Sequence, residues 1–174
     1  FSMSEHKDFN DISIPTWEDW SRGMSQSDDL YFPKPYKSFR YDFSSIKWED
    51  KKPIAVFRGG STGIGTTIDN NIRLKAAYLS WFHRNDKDVL LDAGITNWNV
   101  RPRVDKNGIL KTIDYTKFDF PLVDQLSPMD QAGYKYILHL PGHVEAYRLS
   151  LEMQMGCVIL LANCRYKLWF QKYM

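Results

Sequence analysis

Four short apolar segments constrain the fold of this chain more than any other feature. They are PIAVF (53–57), DVLLDAG (88–94), YKYILHL (134–140) and CVILLA (157–162). Continuous apolar runs of this length are typical of strands that are buried on both faces, as in parallel sheets. Between them, apolar residues recur at helical spacing over 72–82 and 144–155. This alternation predicts an α/β fold with a doubly wound, Rossmann-like parallel sheet.

Size and charge exclude several functional classes. A chain of 174 residues suits one structural unit with a substantial core. The net charge is only +2 and both signs are mixed along the chain, so we expect neither a nucleic-acid-binding stripe nor a membrane-surface helix. Because no run of about 18 apolar residues occurs, a membrane span is not expected either. Cys157 and Cys164 are predicted to be free, buried thiols.

The remaining segments are less regular. Residues 1–52 are aromatic-rich without clean periodicity and are predicted to form an irregular segment that packs on an α/β domain at 53–174. Within 95–127, Asn107-Gly108 predicts a short hairpin. The aromatic end YKLWFQKYM (166–174) is predicted to be helical. The first three residues resemble the remnant of a cleaved expression tag, so the lack of a secretory signal is weak evidence about the compartment.

The stretch from Tyr134 to Arg148 predicts an anion site. Its apolar strand breaks at Pro141-Gly142, and a helix that carries Arg148 is predicted to follow. A helix N-terminus offers unpaired N–H groups and the positive end of the helix dipole, which suit a phosphate or diphosphate. His143 stands at this predicted helix start, where a phosphate donor and an ordinary turn residue are equally consistent with it. His139 lies within the strand and is predicted to be a structural histidine.

A second glycine-rich segment, RGGSTGIGTT (58–67), has three competing interpretations. Its glycine spacing matches a P-loop, but Thr66 stands where the phosphate-binding lysine belongs. GGSTGIG also resembles the cofactor loop of NAD(P)-dependent short-chain reductases. Those enzymes need a Tyr-x-x-x-Lys pair, and no tyrosine here is followed by lysine four positions later. A flexible glycine turn without a ligand is the third interpretation.

Four blocks together resemble the CAP10-like glycosyltransferases, a family also described as Rumi-like or protein O-glucosyltransferase-like. They are IPTWEDW (14–20), AVFRGGSTG (55–63), VLLDAGIT (89–96) and YKYILHLPGHVEAYRL (134–149). The resemblance implies the donor half of a two-domain, GT-B-type enzyme, so that 53–174 would bind a nucleotide sugar. It implies transfer of a sugar, glucose or xylose first, from a UDP-sugar to a hydroxyl of a protein or glycan acceptor, with inversion. It implies neither a metal nor another cofactor.

The resemblance also implies where the donor binds. Arg148 is the first expectation for the diphosphate, because the planar arginine fork pairs bidentately with phosphate oxygens. The expected donor-binding residues are Arg58, Gly59, Gly60, Ser61, Thr62, Gly63, Arg73, Gly142, His143 and Arg148. Three positions depart from the family's pattern: Ser61 and Pro141 stand where arginine is frequent, and Glu145 stands where a small neutral residue is preferred.

The family resemblance places the general base, an aspartate, in another domain upstream of IPTWEDW. The base is therefore expected outside this chain, in a missing N-terminal domain, and Asp11 and Asp19 are only weak candidates. Trp17 and Trp20 are candidates for an acceptor groove, although packing in the core or a lid is the favoured interpretation.

The sequence alone decides neither the cellular compartment nor the functional class. The family suggests the secretory lumen, whereas a true lack of a signal would indicate the cytoplasm. Two alternatives to a transferase remain: a nucleotide-sugar-binding remnant without activity, and a NAD(P)-dependent reductase.

Overall fold

The computed structural model contains one larger sheet and two small strand pairs within its described residues, which are 1–16, 19–20, 41–105 and 107–174. The strands are β1 (Ser4–His6), β2 (Lys52–Gly59), β3 (Leu91–Ile95), β4 (Arg103–Val104), β5 (Leu110–Lys111), β6 (Tyr134–His139), β7 (Val158–Leu161) and β8 (Tyr166–Leu168). The α-helices are α1 (Ile72–Phe82), α2 (Pro128–Ala132) and α3 (Leu149–Glu152). Short 3-10 helices lie at Trp48–Asp50, Tyr115–Lys117 and Gln171–Tyr173.

The main sheet has the strand order β3-β2-β6-β7, and all neighbouring strands are parallel. Each apolar segment of the sequence contributes one of these strands. The predicted α/β class and parallel sheet are therefore confirmed, and the strand order is consistent with a Rossmann-like fold. The chain moves from β2 outward to β3 on one side and from β6 outward to β7 on the other. The direction of winding thus reverses between β2 and β6.

The central strand β2 divides the core into two layers. Val56 and Phe57 are 0% and 1% exposed and point to opposite faces of the sheet, as the two-residue period of a strand requires. Phe57 packs in one cluster with Leu74 of α1, whereas Val56 packs in another with Ile137 of β6. Burial on both faces explains why the strand sequence is continuously apolar rather than alternating.

Helix α1 confirms the predicted helical periodicity over 72–82. It begins after Asn71, whose side chain accepts hydrogen bonds from the N–H groups of Arg73 and Leu74 and so acts as the N-cap. The buried face of α1 consists of Arg73, Leu74, Ala76 and Ala77. The helix packs against β3. Its first turn directly follows the glycine-rich loop.

The helix predicted over 144–155 is wrong in extent. In the structure it is only α3, four residues long, and Arg148 is its N-cap residue. Between Gly142 and Arg148 the chain forms turns, and the Gly142 N–H donates to the Val144 carbonyl at 2.9 Å. That bond runs opposite to the direction of α-helical hydrogen bonds.

The physical reason is the burial of Glu145. Its side chain is 1% exposed and turns inward to hydrogen-bond His139 at the end of β6. A continuous helix would follow the spacing of apolar residues, but here a buried polar contact determines the path of the chain. The predicted helix N-terminus behind Pro141-Gly142 is therefore wrong.

The C-terminal helix predicted over 166–174 is also wrong. Residues 166–168 form β8, which pairs antiparallel with β1 so that Ser4 lies opposite Leu168. Leu168 is fully buried, and the pairing satisfies backbone groups on the facing edges of the two strands. The N-terminal segment thus contributes a strand, β1, although 17–18 and 21–40 lie outside the described residues. The predicted boundary at residue 52 stays a prediction.

The hairpin predicted at Asn107-Gly108 is confirmed, because β4 and β5 pair antiparallel on either side of it. The Asp105 carboxylate accepts from the N–H groups of Asn107 and Ile109 and so shapes the turn. Both cysteines are free and half-buried. None of the helices in the described part of the chain is long and apolar enough to cross a membrane.

Candidate functional site

The reversal of winding between β2 and β6 marks the candidate site. In open α/β sheets, ligands bind outside the carboxyl ends of the strands, in the crevice where the strand order reverses. Here β2 ends at Gly59 and β6 ends at His139. The two loops that follow these strands are the glycine-rich loop, residues 60–71, and the second loop, residues 140–148. Both carry residues that the sequence predicts to bind a donor.

The glycine-rich loop is held in a fixed shape. The N–H of Ser61 donates to the Asn97 carbonyl at 3.0 Å, and the Ser61 hydroxyl accepts from the Asn99 N–H at 2.7 Å. The Asn71 amide donates to the Gly65 carbonyl at 3.2 Å while its oxygen caps α1. The loop also lies very close to the second loop, because a Cβ placed on Gly142 would lie 2.9 Å from Thr62 Oγ1.

Gly65 is a position where only glycine fits, and we expect Gly65→Ala to destabilise the fold. Its φ is +94°, and an added Cβ would lie 2.2 Å from the Asn70 carbonyl oxygen. The strained backbone conformation costs roughly 1–2 kcal/mol, and the clash adds to this cost. We therefore expect the free energy of unfolding, measured in urea, to fall by about 2–4 kcal/mol in total. Gly108→Ala is the matched control, because Gly108 has φ +76° but none of the described residues places an atom within 4 Å of the added Cβ. Equal losses in both variants would contradict the steric argument.

The Arg73 side chain connects the glycine-rich loop to the second loop through hydrogen bonds. Its side chain is buried, with the residue only 6% exposed. Nη1 donates to the Gly60 carbonyl and Thr62 Oγ1, Nε donates to the Pro141 carbonyl, and Nη2 donates to the Leu140 carbonyl. Burial, followed by the nearby charge of Arg148, lowers the pKa of Arg73 to about 10, so the group stays charged at neutral pH. It supplies positive charge to the crevice while most of its donors are occupied.

Arg148 is the cation that reaches the crevice. Its Nε donates to Glu152 at 2.6 Å and its Nη1 to the Arg58 carbonyl at 3.1 Å. The guanidinium lies over the Phe57 ring, 5.3 Å from its centre. The side chain is 30% exposed, and within the described residues its Nη2 has no hydrogen-bond partner. Arg148 is therefore fixed on one side and open to a ligand on the other.

A buried network of charges holds Arg148 in place. His139 is fully buried, and its two ring nitrogens contact two carboxylates: Nε2 lies 2.9 Å from Glu145, and Nδ1 bonds Glu152. Glu152 in turn bonds Arg148. The prediction that His139 is a structural histidine is thus supported by its geometry. Its two carboxylate partners were not predicted.

The pKa values of this network favour charged forms. Burial alone lowers the pKa of His139, but its hydrogen bonds to Glu145 and Glu152 outweigh burial and raise the pKa above 6.5. Burial alone raises the pKa of Glu152, but the hydrogen bond from His139 and the charge of Arg148 outweigh it and lower the pKa below 4.5. These shifts favour an imidazolium at His139 beside the carboxylate of Glu152, which is anchored to Arg148.

The guanidinium of Arg58 does not lie in the crevice. It pairs with Asp92 of β3 at 2.7 Å, and Asp92 also accepts from the Tyr134 hydroxyl at 2.7 Å. Arg58 follows Phe57 in β2, so the two side chains leave opposite faces of the sheet. Only the backbone carbonyl of Arg58 meets Arg148. The role of Arg58 in contacting the donor substrate stays a prediction. Unlike Arg73 and Arg148, its guanidinium pairs with a carboxylate outside the crevice.

Of the two weak candidates for a catalytic base, Asp19 is bonded to other side chains and Asp11 is exposed. The Asp19 carboxylate accepts from the Ser150 hydroxyl and from Trp169 Nε1, the latter at 2.9 Å. These contacts attach the N-terminal segment to α3 and to the end of the chain. Asp11 is exposed. Trp20 is 50% exposed, and Trp17 lies outside the described residues.

Two further features were missed from sequence. The spacing of four residues between Arg148 and Glu152 could have indicated their ion pair. Arg103, which donates from Nη2 to the Ser61 carbonyl at 2.8 Å, gave no signal because it lies in the hairpin, far along the chain. In the part of the chain that the structure describes, no three His, Cys, Asp or Glu side chains are grouped so as to hold a metal ion.

Comparison with known proteins identifies relatives of this chain. Protein 035R of Invertebrate iridescent virus 3 is 43% identical over 175 residues, which is 97% of this chain and 15% of that protein. Protein 179R of Invertebrate iridescent virus 6 is 40% identical over 201 residues, which is 97% of this chain and 17% of that protein. O-glucosyltransferase rumi of Drosophila melanogaster is 26% identical over 159 residues, which is 86% of this chain and 32% of that protein. The chain thus spans less than a third of each of these relatives.

The family model described as glycosyl transferase family 90 matches residues 1–174. The match covers both crevice loops and the strands that carry them. The CAP10-like resemblance predicted from four sequence blocks is confirmed by this match and by the similarity to the Drosophila enzyme. This chain belongs to glycosyl transferase family 90.

Proposed function

We propose that this chain is the donor-binding part of an inverting glycosyltransferase that uses a UDP-sugar. The sugar would be glucose, with xylose second, and the acceptor would be a hydroxyl of a protein or glycan. The observation that carries the proposal is the half-open guanidinium of Arg148 at the crevice between β2 and β6. Similarity to O-glucosyltransferase rumi of Drosophila melanogaster supports the choice of glucose.

The chemistry asks for fixed positive charge at this place. When the bond between the sugar and UDP breaks, negative charge develops on the leaving diphosphate, and a preorganised cation stabilises it more than it stabilises the ground state. Arg148 would contact the diphosphate through Nη2, the edge of its guanidinium that has no partner among the described residues. Arg73 would add positive charge from its buried position between the two loops. The proposed reaction needs no bound metal because these cations meet the developing charge.

Charge balance in the crevice supports an anionic ligand. Arg73 and Arg148 place two guanidinium groups beside the crevice, and Glu152 is the carboxylate that pairs with Arg148. The attacking hydroxyl would approach the anomeric carbon from the side opposite the diphosphate, which gives inversion, and its proton would go to a base supplied from outside these residues.

Selective stabilisation by uridine diphosphates is the expected result of a thermal-shift experiment. The purified chain is mixed separately with UDP, UDP-glucose, UDP-xylose, NADH and NADPH. A ligand at 100 times its Kd adds about 2.7 kcal/mol of stability, which raises the Tm of a chain of this size by roughly 5–10 °C. We expect this rise for the UDP compounds and none for the nicotinamide dinucleotides.

Uridine serves as the control, because it carries the base but no phosphate. Stabilisation by NADH or NADPH alone would contradict the proposal and return the glycine-rich loop to a reductase. Binding of UDP-sugars without hydrolysis or transfer, even with an added acceptor, would instead favour a donor-binding domain that has no activity of its own.

A further inference from the structure

His139 links the crevice to two buried carboxylates. Its side chain is 0% exposed, and the side chains of Glu145 and Glu152 are 0% and 2% exposed. Nε2 of the ring lies 2.9 Å from Glu145 Oε1, and Nδ1 contacts Glu152 Oε2. The other oxygen of Glu152, Oε1, accepts from Arg148 Nε at 2.6 Å. A single carboxylate therefore joins this histidine to the cation that would bind the donor.

Only the protonated form of the His139 ring can donate to both carboxylates at once. An imidazolium has two N–H donors, whereas a neutral imidazole has one donor and one acceptor. When the proton leaves, one ring nitrogen turns a lone pair toward a carboxylate oxygen. Because neither carboxylate reaches solvent, water cannot replace the lost donor and the side chains have to move. Any movement of Glu152 changes the anchor of Arg148.

Glu145 depends on this ring more than Glu152 does. Its Oε1 accepts from the Ala146 N–H at 3.2 Å as well as meeting His139. Its Oε2 is buried and has no hydrogen-bond partner among the described residues. Glu152, in contrast, has Arg148 as a second cationic partner. Glu145 therefore acts mainly on His139, and it holds the ring in its protonated form.

The charged and titratable groups near His139 come from the segments packed around it. They are Glu145 of the second loop, Arg148 and Glu152 at α3, Arg73 of α1, and Cys164 after β7. Burial, followed by the charge of Arg148, lowers the pKa of Arg73 to about 10, and burial raises the pKa of Cys164 above 9.0. His143 on the second loop has a pKa below 6.5, because burial and nearby arginines lower it. None of these three groups gains or loses much charge between pH 6.5 and about 8.5.

We propose that His139 is a positioning residue that couples donor binding to proton uptake. Its protonated ring holds Glu152, and through Glu152 the guanidinium of Arg148, in the orientation that meets the donor. When the ring is neutral, the network has one positive charge fewer and Arg148 has a less fixed anchor, so an anionic donor binds more weakly. Coupling of this kind is reciprocal, so the bound donor also favours protonation of His139. The inference rests on the proposed function, because it concerns the donor of that reaction.

The pH profile of donor affinity tests the coupling in the wild-type chain. UDP-glucose is the probe, because each of its phosphates is bonded through two oxygens and carries no proton that titrates near neutral pH. Burial lowers the pKa of His139, but its bonds to Glu145 and Glu152 raise the pKa above 6.5. We expect the Kd to be constant below the folded pKa and to rise by up to about tenfold per pH unit above it. Calorimetry at the same pH in phosphate and in Tris, which differ in ionisation enthalpy, should show proton uptake on binding.

Glu145→Gln distinguishes this coupling from a purely structural role of the histidine. The change removes one carboxylate that favours the imidazolium but keeps the contact between Glu152 and Arg148. The ring resonances of His139, followed by NMR, and the rise of the Kd should both shift to lower pH, by roughly one unit or more. A purely structural role would weaken affinity equally at every pH. Asp86→Asn, beside the exposed His83, is the control and should leave the affinity profile unchanged.

The outcomes separate this inference from the proposed function. If UDP-glucose binds with the same Kd from pH 6.5 to about 8.5 and without proton uptake, the coupling is refuted and the proposed function stands. The coupling is also refuted if Glu145→Gln shifts the titration of His139 but not the rise of the Kd. If UDP-glucose does not bind at any pH, the proposed function fails and the coupling fails with it. Should Glu145→Gln not fold, proton uptake by the wild type decides.

Discussion

Replacing Arg148 with alanine is expected to weaken UDP binding roughly 30- to 1,000-fold, the effect of removing one partner from a hydrogen-bonded charge pair. The guanidinium is oriented by Glu152 and by the Arg58 carbonyl before any ligand arrives. Little ordering is then needed on binding, so most of the interaction contributes to affinity. Titration calorimetry with UDP measures the loss, and circular dichroism reports whether the chain remains folded.

Arg148→Lys separates charge from shape. Lysine keeps the positive charge but lacks the planar fork, so its affinity for UDP should lie between those of the wild type and Arg148→Ala. Arg84→Ala removes an exposed arginine just after the end of α1 and should leave binding unchanged. If Arg148→Ala binds UDP as the wild type does, the site assignment fails even though the family is established.

The sheet was predictable from sequence because strands that are buried on both faces are continuously apolar. Each of the four apolar runs became a strand of the parallel sheet. The helix over 144–155 was not predictable in the same way. Leu151 and Met155 do recur at helical spacing, but the hydrogen bond between His139 and Glu145 leaves no periodic signal. A buried polar contact between two residues six positions apart thus overrides the apolar periodicity.

The candidate site was also predictable only in part. Both loops of the crevice were predicted, because glycines after strands mark where a backbone approaches a ligand or another loop. The ion pair with Asp92 was not predicted for Arg58. The two-residue period of β2 sets it on the face opposite Phe57, where Asp92 of the adjacent strand meets it. Arg103 could be brought to the glycine-rich loop only by the fold.

The charge network behind Arg148 gives the largest expected change in stability. Glu152→Gln keeps the shape of the side chain but removes the negative charge between His139 and Arg148. Breaking a buried ion pair by changing one partner costs about 3–5 kcal/mol. We expect a loss of this size in the free energy of unfolding, measured by urea denaturation at pH 6, with weaker UDP binding because Arg148 loses its anchor.

The pH dependence of this loss identifies its cause. The folded pKa of His139 is raised above 6.5, so its stabilising contribution is complete below pH 6.5 and disappears as the pH rises through the folded pKa. The folded pKa of Glu152 is lowered below 4.5, so its contribution is complete above pH 4.5 and disappears as the pH falls through the folded pKa. The stability difference between wild type and Glu152→Gln should therefore be largest between pH 4.5 and 6.5 and shrink on both sides.

A matched histidine–carboxylate pair on the surface provides the control. His83 and Asp86 approach within 2.8 Å, but both side chains are more than half exposed. Because solvent screens such pairs, Asp86→Asn should change the free energy of unfolding by no more than about 0.5 kcal/mol at any pH. A Glu152→Gln loss that is equally small, or that does not vary with pH, would mean that the His139 network is not ionised as its geometry indicates. Arg148 would then owe its position to Phe57 and the Arg58 carbonyl alone.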